Sequence, residues 1–115
     1  MIKDDESIKL IHMQRSTGYG FRNAFQVKEL GEAIKAIKEL REDLIVFVDN
    51  CYGEFIDIIE PTDVGADLIA GSLIKNIGGG IAPTGGYIVG KEKYVEQASY
   101  RLTVPGIGAE CGCTF

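Results

Sequence analysis

Two residues in this sequence could do chemistry together. Lys75 follows an apolar run, Asp67-Leu68-Ile69-Ala70-Gly71, through the short link Ser72-Leu73-Ile74, and Gly78, Gly79 and Gly80 come soon after it. Asp49 closes a second apolar run, Leu44-Ile45-Val46-Phe47-Val48. A lysine attacks a carbonyl only as the free amine, and its unperturbed pKa is about 10.4. A Schiff-base lysine therefore has to sit where burial or a neighbouring cation disfavours the ammonium. Lys75, at the end of a buried strand with Leu73, Ile74 and Ile77 beside it, suits such a desolvated amine. If both runs are parallel strands, their C-terminal ends share the sheet edge at which open α/β sheets bind ligands. Asp49 and Lys75 then share one crevice.

Where the carbonyl is that of pyridoxal phosphate, the ring nitrogen must stay protonated to draw electrons from a substrate carbanion, and a neighbouring carboxylate keeps it so. Asp49 is the obvious choice. Ser72, three residues before the lysine, offers a short hydroxyl for the phosphate. Gly78 to Gly80 would let the backbone pass close to the lysine and the ring. Taken singly, each feature has a plainer reading: Lys75 as an exposed loop lysine, Asp49 as a turn or capping residue, the glycines as a hairpin connection. Together and in this order they favour the cofactor.

The elements that must position these residues follow from periodicity. Ile8 to Met13 reads as a first strand, and Gln14 to Gly20 as the polar loop after it. Val27, Leu30, Ile34, Ile37 and Leu44 mark an amphipathic helical segment, with Glu29, Glu32, Lys35, Lys38 and Glu39 on its other face. Gly31 weakens that helix by about 1 kcal/mol relative to Ala, and Gln26 is a poor N-cap. The strand Leu44 to Val48 is apolar enough to be buried on both faces. Glu54 to Ile59 is ambiguous between a short helix and a loop, and Pro61 ends it. Asp67 to Gly71 is the third strand, and Gly85 to Gly90 a fourth that reverses direction through the glycine-rich turn. Lys91 to Leu102 makes an amphipathic helix on Tyr94, Val95, Ala98 and Leu102, and an irregular tail follows at Pro105-Gly106-Ile107-Gly108. The order predicts an α/β fold, a mainly parallel sheet with one antiparallel strand, flanked by helices. Its edges have nothing in the chain to cover them, so the sequence reads as a piece of a larger protein.

At 115 residues there is length for one core and not for two. A hydrophobic content of 45% with well-spread charge describes a globular chain. The net charge of −5, without clustered Lys and Arg, argues against nucleic-acid binding. No apolar run reaches the roughly 20 residues of a membrane helix, and the acidic start is unlike a signal peptide. The cytoplasm is the expected location. Cys51, Cys111 and Cys113 lack the spacing of a disulfide framework, which fits a reducing compartment; Cys51 is expected to be buried packing.

Several other patterns fail. Gly85 to Lys91 matches the first part of a phosphate-binding P-loop, but Glu92 stands where Ser or Thr should hold magnesium. Gly18-Tyr19-Gly20 follows a strand, yet Asn23 replaces the third glycine of a dinucleotide fingerprint. Cys111 and Cys113 have no second ligand pair for zinc. His12 is the sole histidine, which removes Ser-His-Asp and Cys-His schemes; within its apolar strand it is expected to be a hydrogen-bonded structural residue.

Val48 to Phe55, Gly65 to Asn76, Gly78 to Gly80 and Ala82 to Tyr87, together with Gln14 to Arg22 and Tyr100 to Gly108, carry a specific likeness. The chain resembles the bacterial family variously called aluminium resistance protein and methionine gamma-lyase-like protein, of the cystathionine lyase group of fold-type I pyridoxal-phosphate enzymes. The resemblance implies that Lys75 holds the cofactor as a Schiff base and later moves protons at the substrate carbons, that Asp49 partners the pyridinium, and that Ser72 contacts the phosphate. Ile74 stands where wider relatives often carry a second phosphate-binding hydroxyl, so another donor is needed; the Arg15-Ser16 loop on the same edge could supply it. Family members run to several hundred residues. By that measure residues 1–115 are a fragment of the large pyridoxal-phosphate-binding domain, without the earlier segment that supplies the main phosphate loop and without the C-terminal domain. Such a fragment is expected to be a poor catalyst alone. The implied function is a carbon-sulfur lyase of the cystathionine beta-lyase or methionine gamma-lyase type, acting on a sulfur-containing amino acid and forming a homo-oligomer when complete. The alternatives are a non-catalytic α/β module that binds a partner through its sheet edges, or a phosphate-ligand binder without a Schiff base.

Overall fold

The computed structural model describes residues 2–102 and Ile107. The element order is β1 (Leu10–Gln14), α1 (Val27–Leu40), β2 (Ile45–Asp49), a one-turn 3-10 helix (Pro61–Val64), β3 (Leu68–Ser72), β4 (Gly86–Gly90) and α2 (Glu92–Ser99). The four strands form one sheet in the order β1-β2-β3-β4. The first three are parallel and β4 is antiparallel to β3, as the sequence predicts. The tail from Pro105, with Cys111 and Cys113, lies outside the described residues apart from Ile107.

Helix α1 supplies the crossover between β1 and β2, and its apolar stripe covers one face of the sheet. Leu30, Ile34, Val46, Val48, Ala66 and Ile69 form the buried core, with Met13, Ile37, Val64 and Tyr87 packed around it. At about 25 cal/mol per Å² of apolar surface removed from water, this stripe rather than helix propensity holds α1 in place. Two expectations about the helix change. It ends at Leu40, and Leu44 is buried just ahead of β2. Its start is better capped than Gln26 suggests, because the Glu29 carboxylate accepts the Gln26 backbone N–H at 2.8 Å. Gly31 has a packing reason: a Cβ there would lie 3.0 Å from Cβ of Val64, where the 3-10 turn crosses the helix.

Strand β2 is not buried on both faces. Val46 and Val48 point into the core, whereas Ile45, Phe47 and Asp49 are half-buried on the opposite face, because α1 crosses one face only. On that second face exposed His12 stacks on Phe47, ring centroids 5.2 Å apart; a ring contact takes the place of the expected structural hydrogen bond. Residues 51–59 form turns and not a helix, and Pro61 opens the 3-10 turn rather than closing an element. Helix α2 packs against β4, with Tyr94, Val95 and Ala98 half-buried and Leu102 largely exposed.

A charged knot fastens the N-terminal end of β3. The Asp67 carboxylate accepts the Val46 backbone N–H at 2.7 Å and pairs with Lys38 at 2.8 Å and Lys91 at 2.6 Å. Burial pushes its pKa up, but the hydrogen bonds from Lys38, Lys91 and Val46 outweigh this and hold it below the ordinary carboxylate value. Lys38, placed by periodicity on the solvent face of α1, reaches instead over the sheet end.

Candidate functional site

The register puts the C-terminal ends of β1, β2 and β3 on one edge. Gln14 lies opposite Asp49, and Asp49 opposite Ala70. The chain then leaves each strand in a turn. After β2, Asp49 Oδ1 accepts the Cys51 backbone N–H at 3.0 Å, an Asx-type turn that aspartate favours. Tyr52 and Phe55 adopt left-handed backbone with φ of 67° and 63°, conformations that bulky residues take only when the surroundings hold them there. After β3, the Lys75 carbonyl accepts the N–H of Gly79 at 3.1 Å. Gly78 packs so tightly into this turn that a Cβ would lie 1.7 Å from the Leu73 carbonyl oxygen, whereas Gly79 and Gly80 have φ of 53° and 81° and open space around them. The glycines thus serve the turn that presents the lysine.

Asp49 and Lys75 meet in a cavity of about 320 Å³ whose walls also include Gln14, Ser16, Cys51 and Tyr52. The Lys75 ammonium sits 4.7 Å from the centroid of the Tyr52 ring, a cation–π contact. The expectation of a desolvated amine is corrected here. Lys75 is half-buried only, and its attraction to Cys51, with smaller contributions from Tyr52 and Asp49, raises its pKa above the ordinary lysine value. Attraction to these groups outweighs desolvation, so the amine in this chain is held protonated. Cys51, expected as buried packing, is half-exposed and lines the cavity.

The remaining predicted residues separate. Ser72 ends β3 outside the cavity wall; its Oγ lies 3.5 Å from the Gly85 carbonyl and accepts the Ile74 N–H at 3.4 Å. Arg15 points the other way from a phosphate site. It is 3% exposed, donating through Nη1 to Asn50 Oδ1 at 2.9 Å and to the Gly53 carbonyl at 2.7 Å, through Nε to the Phe25 carbonyl at 3.3 Å, and pairing with Asp57. Of the Arg15-Ser16 pair, Ser16 alone faces the cavity that holds Lys75.

Behind the cavity lies a buried polar network that sequence reasoning missed. Glu54, 3% exposed, accepts the Tyr87 hydroxyl on Oε1 at 2.8 Å and the Asn76 side-chain amide on its backbone carbonyl at 3.0 Å. Asn50 donates to the Tyr87 hydroxyl at 3.5 Å and to Glu60 at 2.8 Å. Burial, followed by the Glu54 hydrogen bond, pushes the Tyr87 phenol well up. Gly71 makes room for this network: a Cβ there would lie 2.4 Å from Glu54 Oε1 and 2.5 Å from the Tyr87 ring. A separate groove of about 420 Å³ beside α2, lined by residues such as Ile88, Val95 and Leu102, offers mainly apolar surface.

The family model for methionine gamma-lyase matches residues 1–115. The chain belongs to that family. Among solved structures of similar proteins is one from Clostridium acetobutylicum, described provisionally as a cystathionine beta-lyase involved in aluminum resistance. It is 70% identical with a TM-score of 0.93, over 99% of this chain and 27% of that one. A second, described as a carbon-sulfur lyase involved in aluminum resistance from Clostridium novyi NT, is 63% identical with a TM-score of 0.89, over 96% of this chain and 26% of that one. The Bacillus subtilis protein YnbB is 60% identical over 107 residues, 93% of this chain and 25% of its own length. The chain therefore spans about a quarter of these relatives.

Of the cavity residues that motif reasoning passed over, Tyr52 and Gln14 carry weak local signals. Gln14 is legible only through its register opposite Asp49, and Tyr52 only through the left-handed turn that swings its ring under the lysine.

Proposed function

We propose that this chain is the part of a fold-type I pyridoxal-phosphate-dependent carbon-sulfur lyase that carries the cofactor lysine and the pyridinium carboxylate. The observation that supports it most is the shared cavity of Asp49 and Lys75, reached from different strands. The donor set fits the group: an amine for the aldehyde, a carboxylate for the ring nitrogen, an aromatic wall at Tyr52 and a hydroxyl at Ser16. Ser72 fits less directly, since it lies outside the cavity wall that holds Asp49 and Lys75.

When bound, pyridoxal phosphate would supply the electron sink that lets an amino acid lose its α proton and then its sulfur substituent. Asp49 would hold the proton on the ring nitrogen, its second oxygen anchored to the Cys51 N–H. Lys75 would bind the aldehyde carbon and, once displaced by the substrate amine, carry protons between substrate carbons. Before it can do either, it must give up the proton that Cys51, Tyr52 and Asp49 help it retain. Tyr52 would hold the amine over its ring during the transfer.

The substrate class proposed is a sulfur-containing amino acid, in keeping with the descriptions of the relatives, and a part in aluminium resistance follows the same descriptions. Residues 1–115 are likewise proposed to be a fragment of the large cofactor-binding domain. The complete protein is proposed to be a cytoplasmic homo-oligomer, which the exposed apolar residues Tyr19, Phe21, Phe55, Ile58 and Ile81 around the strand ends would suit. Titrating the chain with pyridoxal phosphate tests the reading by absorbance. A visible band that saturates and is missing from Lys75→Ala is the expected result; equal bands in both chains would refute it.

A further inference from the structure

The two residues on which the proposed function rests are each followed by an asparagine, Asp49 by Asn50 and Lys75 by Asn76. Both asparagines lead to Glu54. Asn76 donates its side-chain amide to the Glu54 backbone carbonyl at 3.0 Å. Asn50 donates at 3.5 Å to the Tyr87 hydroxyl, which donates at 2.8 Å to Glu54 Oε1. The backbone of Asn50 is itself fixed, its N–H donating to the Ala70 carbonyl at 2.8 Å. The turn after β2 and the turn after β3 have no strand pairing beyond Asp49 and Ala70, so this network ties them from behind, while the Lys75–Tyr52 contact joins them at the cavity.

Its construction is costly. A carboxyl group that is 3% exposed, with Oε2 buried and without a hydrogen-bond partner among the described residues, is expensive to place inside a protein. Strand β3 gives up a side chain at Gly71 to admit it, since a Cβ there would strike both Glu54 and Tyr87. Apolar packing would fill the space more cheaply. A buried acid retained at such a point has to hold something that packing alone leaves loose.

We propose that Glu54 is a positioning residue that sets Lys75 against Asp49, its backbone carbonyl holding Asn76 on the lysine side and its carboxylate fixing that stretch of chain through Tyr87 and Asn50 on the aspartate side. It touches no reacting atom. Its purpose rests on the cofactor reading, because a Schiff-base lysine must meet the aldehyde carbon while the ring nitrogen stays on the carboxylate, and misplacement by about 1 Å can cost about 100-fold. Asn76 is the link best suited to test. Its side chain is exposed, so removing it leaves the core intact.

The test uses Asn76→Ala and Tyr87→Phe in the whole chain, with two readouts. The first is the Lys75 side-chain titration followed by NMR on chain carrying isotope-labelled lysine, which needs no cofactor. In Asn76→Ala the midpoint should move down toward the ordinary lysine value, because the ammonium is no longer held at Cys51 and Tyr52; Tyr87→Phe should move it in the same direction. The second is labelling by pyridoxal phosphate and borohydride, in which modification of Lys75 relative to exposed Lys35, divided by the fraction of free amine that the titration gives, should fall about tenfold, the cost of a misplacement short of about 1 Å. The titration decides the matter. If the Lys75 midpoint in both variants superimposes on that of the unaltered chain, Glu54 does not position the lysine. If the midpoints move but the unaltered chain is never labelled at Lys75, positioning stands and the cofactor reading falls.

Discussion

Arg15 offers the sharpest test of how this site is supported, because sequence reasoning aimed it at a phosphate and the structure aims it inward. Replacing it with Ala removes donors from Asn50 Oδ1 at 2.9 Å and from the Gly53 carbonyl at 2.7 Å, along with the bond to Phe25 and the pair with Asp57. Hydrogen bonds from a charged donor contribute about 1.5–3 kcal/mol each and do not add fully. Asp57 and Glu60, at 35% and 28% exposure, can rehydrate and add little. Counting the two short neutral acceptors, Arg15→Ala should cost about 4 kcal/mol, a large part of the 5–15 kcal/mol typical of a small domain. Arg15→Lys should cost about 2 kcal/mol, since one ammonium cannot reproduce the guanidinium fork. Urea unfolding followed by circular dichroism reads both values, and titration with inorganic phosphate supplies the second arm. If Arg15→Lys unfolds at the same urea concentration as the unaltered chain yet loses phosphate binding, the inward assignment is wrong.

Three further outcomes follow from named contacts. Asp67→Ala strips the Val46 N–H and two lysines of their acceptor and should cost about 3 kcal/mol by urea unfolding; since folding lowers the Asp67 pKa, the stability it contributes in the unaltered chain should be lost as pH falls below the unfolded value near 3.8. Cys51→Ala removes the largest cause of the raised Lys75 pKa, so borohydride-trapped labelling of Lys75 at pH 8 should increase; an unchanged or lower yield would contradict the hold of Cys51 on the ammonium. In an ultraviolet titration Tyr87→Phe should lose a step that ionises above the ordinary phenol value, and because folding raises this phenol, stability should fall as pH climbs past about 10.

Much of the scaffold was legible because it depends on periodicity. The continuous apolar run of β2, the stripe of α1 and the glycine-rich reversal into β4 are local patterns that mark their elements, although the run in β2 pointed to burial on both faces and only Val46 and Val48 are buried. The meeting of Asp49 and Lys75 at one sheet edge followed from the parallel order. What escaped were features set by long-range packing. Asp67 looked like the start of a strand, and its two lysines, 29 and 24 residues away in sequence, showed no local mark of their destination. Whether Lys75 is desolvated depends on what covers it, and within this chain Cys51 and Tyr52 do so as attractive partners rather than as an apolar lid. Glu54 read as a polar residue in an ambiguous loop. Only the space at Gly71, visible once β3 and β4 pair, shows why it is buried.

We propose that Asp49 and Lys75 form a cofactor pocket within these residues. The most direct measurement is mass-spectrometric mapping of the chain after incubation with pyridoxal phosphate and reduction by borohydride, at several pH values. A single dominant modification at Lys75 is expected, increasing with pH as the ammonium is lost, and weakened in Asp49→Ala. Labelling scattered over exposed lysines such as Lys35, or a Lys75 yield indifferent to Asp49, would contradict it.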